Sequence, residues 1–224
     1  MPENLNLNQH EFDAYLEELT DMVVRQQGLQ FGTYKEAQRH VEEVKAKLKK
    51  ILLQNNTTFV EGLRHLIGAG DQIVAEIAKK IFDNLDTPSK VADIIEVEIV
   101  QRKNALELFT KAVNGFYGCG DFHVEECVLS VLLTLFPMEP QPFACYGTMI
   151  WRKDGIAEAA AYYKKIVDMF ESPVLDYFAA DCYLKSENKA DAKRVLDRAM
   201  LAVSNASDGY DDVGQLIRLL SRQL

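Results

Sequence analysis

The chain has 224 residues, 48% of them hydrophobic, and a formal net charge of -9. That supply of apolar side chains suits one elongated domain or two small ones. The acidic balance argues against a general binder of nucleic acid or of anionic membrane, which needs a basic face.

No apolar run approaches the roughly 20 residues that cross a bilayer, so no stable membrane insertion is expected. The start, Met1-Pro2-Glu3-Asn4, lacks a basic stretch followed by an apolar core and does not read as a secretory signal. Four cysteines, Cys119, Cys127, Cys145 and Cys182, sit in a chain too large to need staples. Free thiols in the cytoplasm are the expectation.

In chain order, Asn8 with Glu11 opens a helix whose face carries Phe12, Tyr15, Leu16, Leu19, Met22 and Val23. Gly28 and Gly32 end it. Thr33 and Glu36 cap a second helix, with Tyr34, Ala37, Val41, Val44, Leu48 and Ile51 spaced by three and four. That stripe predicts shallow packing along the first helix, or self-association. Lys45, Lys47, Lys49 and Lys50 read as its solvated face. After a break at 55–58, a short helix runs to about Ile67.

A turn at 68–71 precedes an amphipathic helix carrying Ile73, Ile77, Ile81 and Phe82. Thr87 and Pro88 start the next, by cap and first-position proline. Residues 94–100 alternate as a strand would, but Leu106 and Phe109 continue a helical period, so helix is expected. Later helices end at Gly118/Gly120, at Pro137 and Pro140, at Gly155, at Pro173 and near 204–209. A last helix carries Val213, Leu216, Ile217 and Leu220.

Pairs of like residues recur 33 positions apart: Gly147 with Ala180, Ile150 with Tyr183, Trp151 with Leu184, Ala159 with Ala192, Tyr163 with Leu196 and Ile166 with Ala199. Such a period means stacked helical hairpins, whose concave face commonly holds a peptide. Over 143–171 the order is small Gly147, bulky Ile150, turn, small Ala159, aromatic Tyr163, bulky Ile166. It resembles the tetratricopeptide repeat. Val113, Phe116 and Gly120 fit an earlier, degenerate unit, in which Glu125 occupies the small position and an insertion of one or two residues would bring Cys127 there. The expected fold is therefore all-α. A helical region over 1–104 precedes an array of about three hairpins with a capping helix over 105–224.

Over roughly 105–203 the chain resembles, more narrowly, the class II chaperones of bacterial type III secretion, which bind translocator proteins before export. The runs Phe178-Ala179-Ala180-Asp181-Cys182-Tyr183-Leu184 and Ala190-Asp191-Ala192 look like that family's third repeat. Ala157-Glu158-Ala159-Ala160-Ala161-Tyr162-Tyr163 suits its second. Family members are typically shorter, and the first repeat departs from the family pattern at Gly120-Asp121-Phe122-His123-Val124-Glu125. The resemblance implies a bacterial cytoplasmic chaperone, not an enzyme, with no cofactor. Its partner would be a secreted translocator or effector with a hydrophobic segment. A scaffold or structural subunit of a secretion or other assembly is the alternative. The amino-terminal helices would form a homodimer or cover a second client segment.

By register, the groove-facing residues are Thr110, Asn114 and Tyr117 in the degenerate unit, Ala144, Thr148, Trp151 and Arg152 in the middle unit, and Tyr177, Asp181, Leu184 and Lys185 in the last. Tyr117, Trp151 and Leu184 recur at equivalent positions and would form an apolar track for an extended peptide. The same pattern also fits Trp151 and Tyr117 packing against neighbouring helices.

Signals for chemistry are weak. Cys119, His123 and Cys127 are spaced by four and invite a zinc site. No second ligand cluster is evident in the sequence, and a turn at Gly118, Gly120 and Asp121 would break the alignment, so no metal is expected. His10, His40 and His65 lack partners by spacing. Adjacent pairs Glu17-Glu18, Glu42-Glu43 and Glu125-Glu126 diverge on a helix and read as surface. Gly115, Gly118 and Gly120 lack the lysine and strand of a phosphate loop.

Overall fold

The computed structural model describes residues 56–137, 139–205 and 211–224. The helices expected over 12–23 and 34–51, their lysine patch, His10, His40 and the acidic pairs at 17–18 and 42–43 lie outside these residues. Every regular element among the described residues is helical, as expected for an all-α protein. The chain divides into two compact units, Met1–Pro137 and Met138–Leu224. The boundary expected at 104/105 rests on where the repeat register begins in the sequence.

The first unit contains α1 (Asn56–Ile67), α2 (Gln72–Phe82), α3 (Pro88–Ile95), α4 (Ala105–Asn114) and α5 (Phe122–Leu135). Helix α5 is its centre. Every residue from Cys127 to Leu135 is buried, so its apolar surface runs around the whole helix rather than along one stripe. Helix α1 lies along it, with Phe59, Leu63 and Leu66 buried. The close approach depends on Gly62: a Cβ there would overlap the carbonyl of Cys127 and the side chain of Val131.

Two helix starts in this unit are fixed by aspartate. Asp71 accepts from the amides of Ile73 and Val74, and Asp121 from those of His123 and Val124. Thr87 stands at the cap of α3, but its hydroxyl bonds the Asp86 carboxylate at 3.2 Å and not the helix. Pro88, at the first helical position, supports that start instead.

The ambiguous stretch 94–100 continues α3 into a π turn, Glu96–Val100. The Gln101 amide reaches back five residues to the Glu96 carbonyl, at 3.0 Å. Val91, Ile95 and Ile99 are buried at intervals of four, while Val97 is 56% exposed. The strand-like alternation thus comes from a helix that keeps every fourth residue inside. Glu98 in this turn pairs with Lys80 of α2 and with Arg102, each at 2.5 Å.

The degenerate unit has a clear local geometry. Helix α4 ends at Asn114, short of Gly118 and Gly120. Both glycines have positive φ, +78° and +83°, a conformation that glycine adopts without strain. Glu125 is buried, and its Oε1 accepts from the Gly118 amide at 3.0 Å. An acid at the small position therefore holds the turn before its own helix. Cys127, two residues on, occupies the place where α5 meets the backbone of α1.

The second unit contains α6 (Pro140–Asp154), α7 (Ile156–Ile166), α8 (Pro173–Lys185), α9 (Lys189–Asn205) and α10 (Asp211–Ser221). Helices α6 and α7 form one hairpin and α8 and α9 a second; α8 packs on both helices of the first, and α10 covers α8 and α9. Pro140 and Pro173 open α6 and α8, so prolines that stop one helix in the sequence begin the next. Gly155, with φ of +107°, makes the tight link between α6 and α7.

The 33-residue pairs sort by burial. Ala159 and Ala192, Tyr163 and Leu196, and Ile166 and Ala199 are all at most 1% exposed. Gly147 and Ala180 are buried as well. A methyl on Gly147 would overlap the Tyr163 ring, whose hydroxyl donates to the Ala144 carbonyl at 3.0 Å. Tyr183 is buried and its counterpart Ile150 half-buried, while Trp151 is exposed and its counterpart Leu184 half-buried.

Candidate functional site

Helices α6 and α8 are the first helices of their hairpins and lie side by side. Their outer face carries Trp151 near the end of α6, 36% exposed. The Lys185 ammonium of α8 sits 4.1 Å from the centroid of the Trp151 ring. Asp181, one turn earlier on α8, holds Lys185 at 2.6 Å. An exposed cation on an aromatic face contributes about 0.5–1 kcal/mol. The result is an indole with one face against a cation, next to an ion pair. Leu184 is half-buried beside Lys185, and Arg152 is exposed next to Trp151.

The other expected groove residues of this unit are placed differently. Ala144 is 4% exposed and cannot line a surface; small size there serves packing, and its carbonyl accepts from both Tyr163 and Thr148. The Thr148 hydroxyl is turned back on its own helix by that bond, at 2.9 Å. Tyr177 is half-buried with its ring edge-on to Phe178, centroids 5.5 Å apart. Trp151, Asp181 and Lys185 are brought together, with Leu184 adjacent in α8.

In the first unit, Thr110 is half-buried and its hydroxyl has no hydrogen-bond partner among the described residues. Asn114 is the exposed last residue of α4. Tyr117 lies beyond that helix, in a turn whose amide bonds the Asn114 carbonyl at 3.2 Å. It is half-buried and lies outside α4, whereas Trp151 and Leu184 stand in the last turns of their helices.

In a second cluster, spacing made His123 and Cys127 legible but not their third member, Glu61. Glu61 of α1 lies against His123 and Cys127 of α5: Oε2 is 2.8 Å from His123 Nε2 and 3.5 Å from Cys127 Sγ, and Nε2 and Sγ are 3.8 Å apart. The hydrogen bond with His123 holds the Glu61 carboxyl below the usual range. Burial, then the bond to Glu61, pushes the Cys127 thiol up to about 12. Cys119 lies in the preceding turn, its Sγ 3.7 Å from the Asp121 carbonyl. The turn expected at 118–121 does remove it from the face shared by His123 and Cys127, but Glu61 stands in the cluster instead. Because Glu61 is 62 residues from His123 in sequence, spacing carries no trace of it.

Among the described residues no helix is long and apolar enough to cross a membrane. No family model, no curated protein and no solved structure matches this chain.

Proposed function

We propose that the protein is a bacterial cytoplasmic chaperone of the type III secretion translocator kind. In this reading, the α6–α8 face holds an apolar segment of a secreted client and keeps it soluble until export. Masking is stoichiometric, so no nucleotide or other cofactor enters, and stability of the complex follows client concentration. The resemblance over 105–203, with its tetratricopeptide-like register, supports the class of client.

The observation that carries the proposal is the exposed Trp151 on the first helix of its hairpin, beside the Asp181–Lys185 pair. A large flat side chain with two rotatable bonds gives contact area at little entropic cost. Tryptophan is enriched among residues that dominate binding energy. The flanking charges can pair with a peptide backbone or with its polar side chains.

Trp151 is the single tryptophan of the chain, so its fluorescence reports on this face alone. Titration with a peptide from an apolar translocator segment should shift that emission. Trp151→Ala should keep its helicity and lose about 2 kcal/mol of client affinity, measured by calorimetry. Equal affinity in the variant, with the fold intact, would remove Trp151 and this face from the account.

A further inference from the structure

We infer that Glu61, His123 and Cys127 form a binding site for a zinc-class divalent cation that ties α1 to the first turns of α5. The three donor atoms, a carboxylate oxygen, an imidazole nitrogen and a thiol sulfur, lie within 4.8 Å of one another. These are the ligand types zinc takes. Bonds of about 2.0–2.3 Å in a tetrahedron place donor atoms roughly 3.3–3.6 Å apart. The observed separations of 2.8, 3.5 and 3.8 Å bracket that range. A cation would enter by opening the Glu61–His123 hydrogen bond by about half an ångström, a shift within side-chain reach.

The fold builds this arrangement. His123 and Cys127 are four residues apart on α5, hence on one face. Asp121 starts that helix and so sets where the face points. Glu61 precedes Gly62, the residue whose missing side chain lets α1 meet the Cys127 carbonyl. The cluster also has a way in. The Cys127 side chain forms its buried inner wall, while the His123 side chain is 63% exposed at the outer edge. Three protein ligands leave the fourth position to water.

The same geometry argues against a nucleophilic thiol. A Cys–His pair with a carboxylate orienter needs the carboxylate on one imidazole nitrogen and the thiol on the other. Glu61 and Cys127 both face Nε2, and the thiol is 3.8 Å from it.

Cobalt(II) titration of the metal-free full-length chain tests the site. The expected result is one cobalt per chain, with a tetrahedral ligand-field spectrum and a thiolate-to-cobalt charge-transfer band, both bleached when zinc is added. His123→Ala and Cys127→Ser should lose the band, and Cys119→Ser should keep it. His123→Ala carries the test if Cys127→Ser disturbs the core, since His123 is at the surface and circular dichroism can verify its fold. Absence of the band in the native chain would overturn the site. So would a band that survives His123→Ala, or one that follows Cys119 instead of Cys127.

Discussion

Asp176 is 1% exposed, and a charged group so placed survives only when it is paired. Arg198 of α9 supplies the pairing: Nε donates to one carboxylate oxygen at 2.9 Å and Nη2 to the other. Nη2 also donates to the Val167 carbonyl at 2.8 Å, and Nη1 to Asp168 at 3.0 Å, so one guanidinium joins α8, α9 and the turn after α7. Removing one partner of a buried pair costs more than removing both. Arg198→Met should therefore destabilise the protein by about 3–5 kcal/mol in urea unfolding, and Asp176→Leu added to it should recover most of that loss. A double variant as unstable as the single one would mean the pair contributes to stability beyond charge satisfaction. Neither residue stood out in the sequence, because a pair 22 residues apart leaves no periodic signal. The small and aromatic residues did, since Gly147 and Tyr163 each recur, in kind or in size, 33 positions later.

At the scale of elements, two glycines perform the same task in different units. Gly147 admits the Tyr163 ring between α6 and α7, and Gly62 admits the backbone of α5 to α1. At Gly62 the obstacle is a carbonyl rather than a movable side chain, so the helices themselves must separate. Gly62→Ala should cost about 1–3 kcal/mol in denaturant unfolding, as overpacking does. It should also weaken cobalt binding, because Glu61 would be carried away from α5. Unchanged stability and unchanged cobalt affinity would show that α1 tolerates displacement. The sequence made Gly147 legible through the repeat, and left Gly62 silent because its partner lies on a helix with no repeated counterpart. The π turn after α3 was half legible: periodicity through Phe109 indicated helix, while the widened turn imitated a strand. Thr87 was legible as a cap position, but competition from the neighbouring Asp86 carboxylate redirects its hydroxyl.

At the scale of the molecule, the second unit is a pair of stacked hairpins with a covering helix, and its packing pairs are those the 33-residue spacing picked out. The spacing alone did not separate packing from surface: it paired Trp151 with Leu184 just as it paired core residues, and burial tells them apart. The expected apolar track does not extend to Tyr117 in the same setting, because α4 stops at Asn114 and Tyr117 lies in the turn beyond it. In the proposed role, the α6–α8 face holds the apolar segment of a secreted client. Affinity capture from a lysate of the source cells, with the native chain run beside the Trp151→Ala variant and bound proteins identified by mass spectrometry, tests this face. The expected catch is a secreted, membrane-inserting protein that the native chain retains and the variant releases. Recovery of soluble machinery alone, held equally by both, would contradict the proposed role and point to a scaffold.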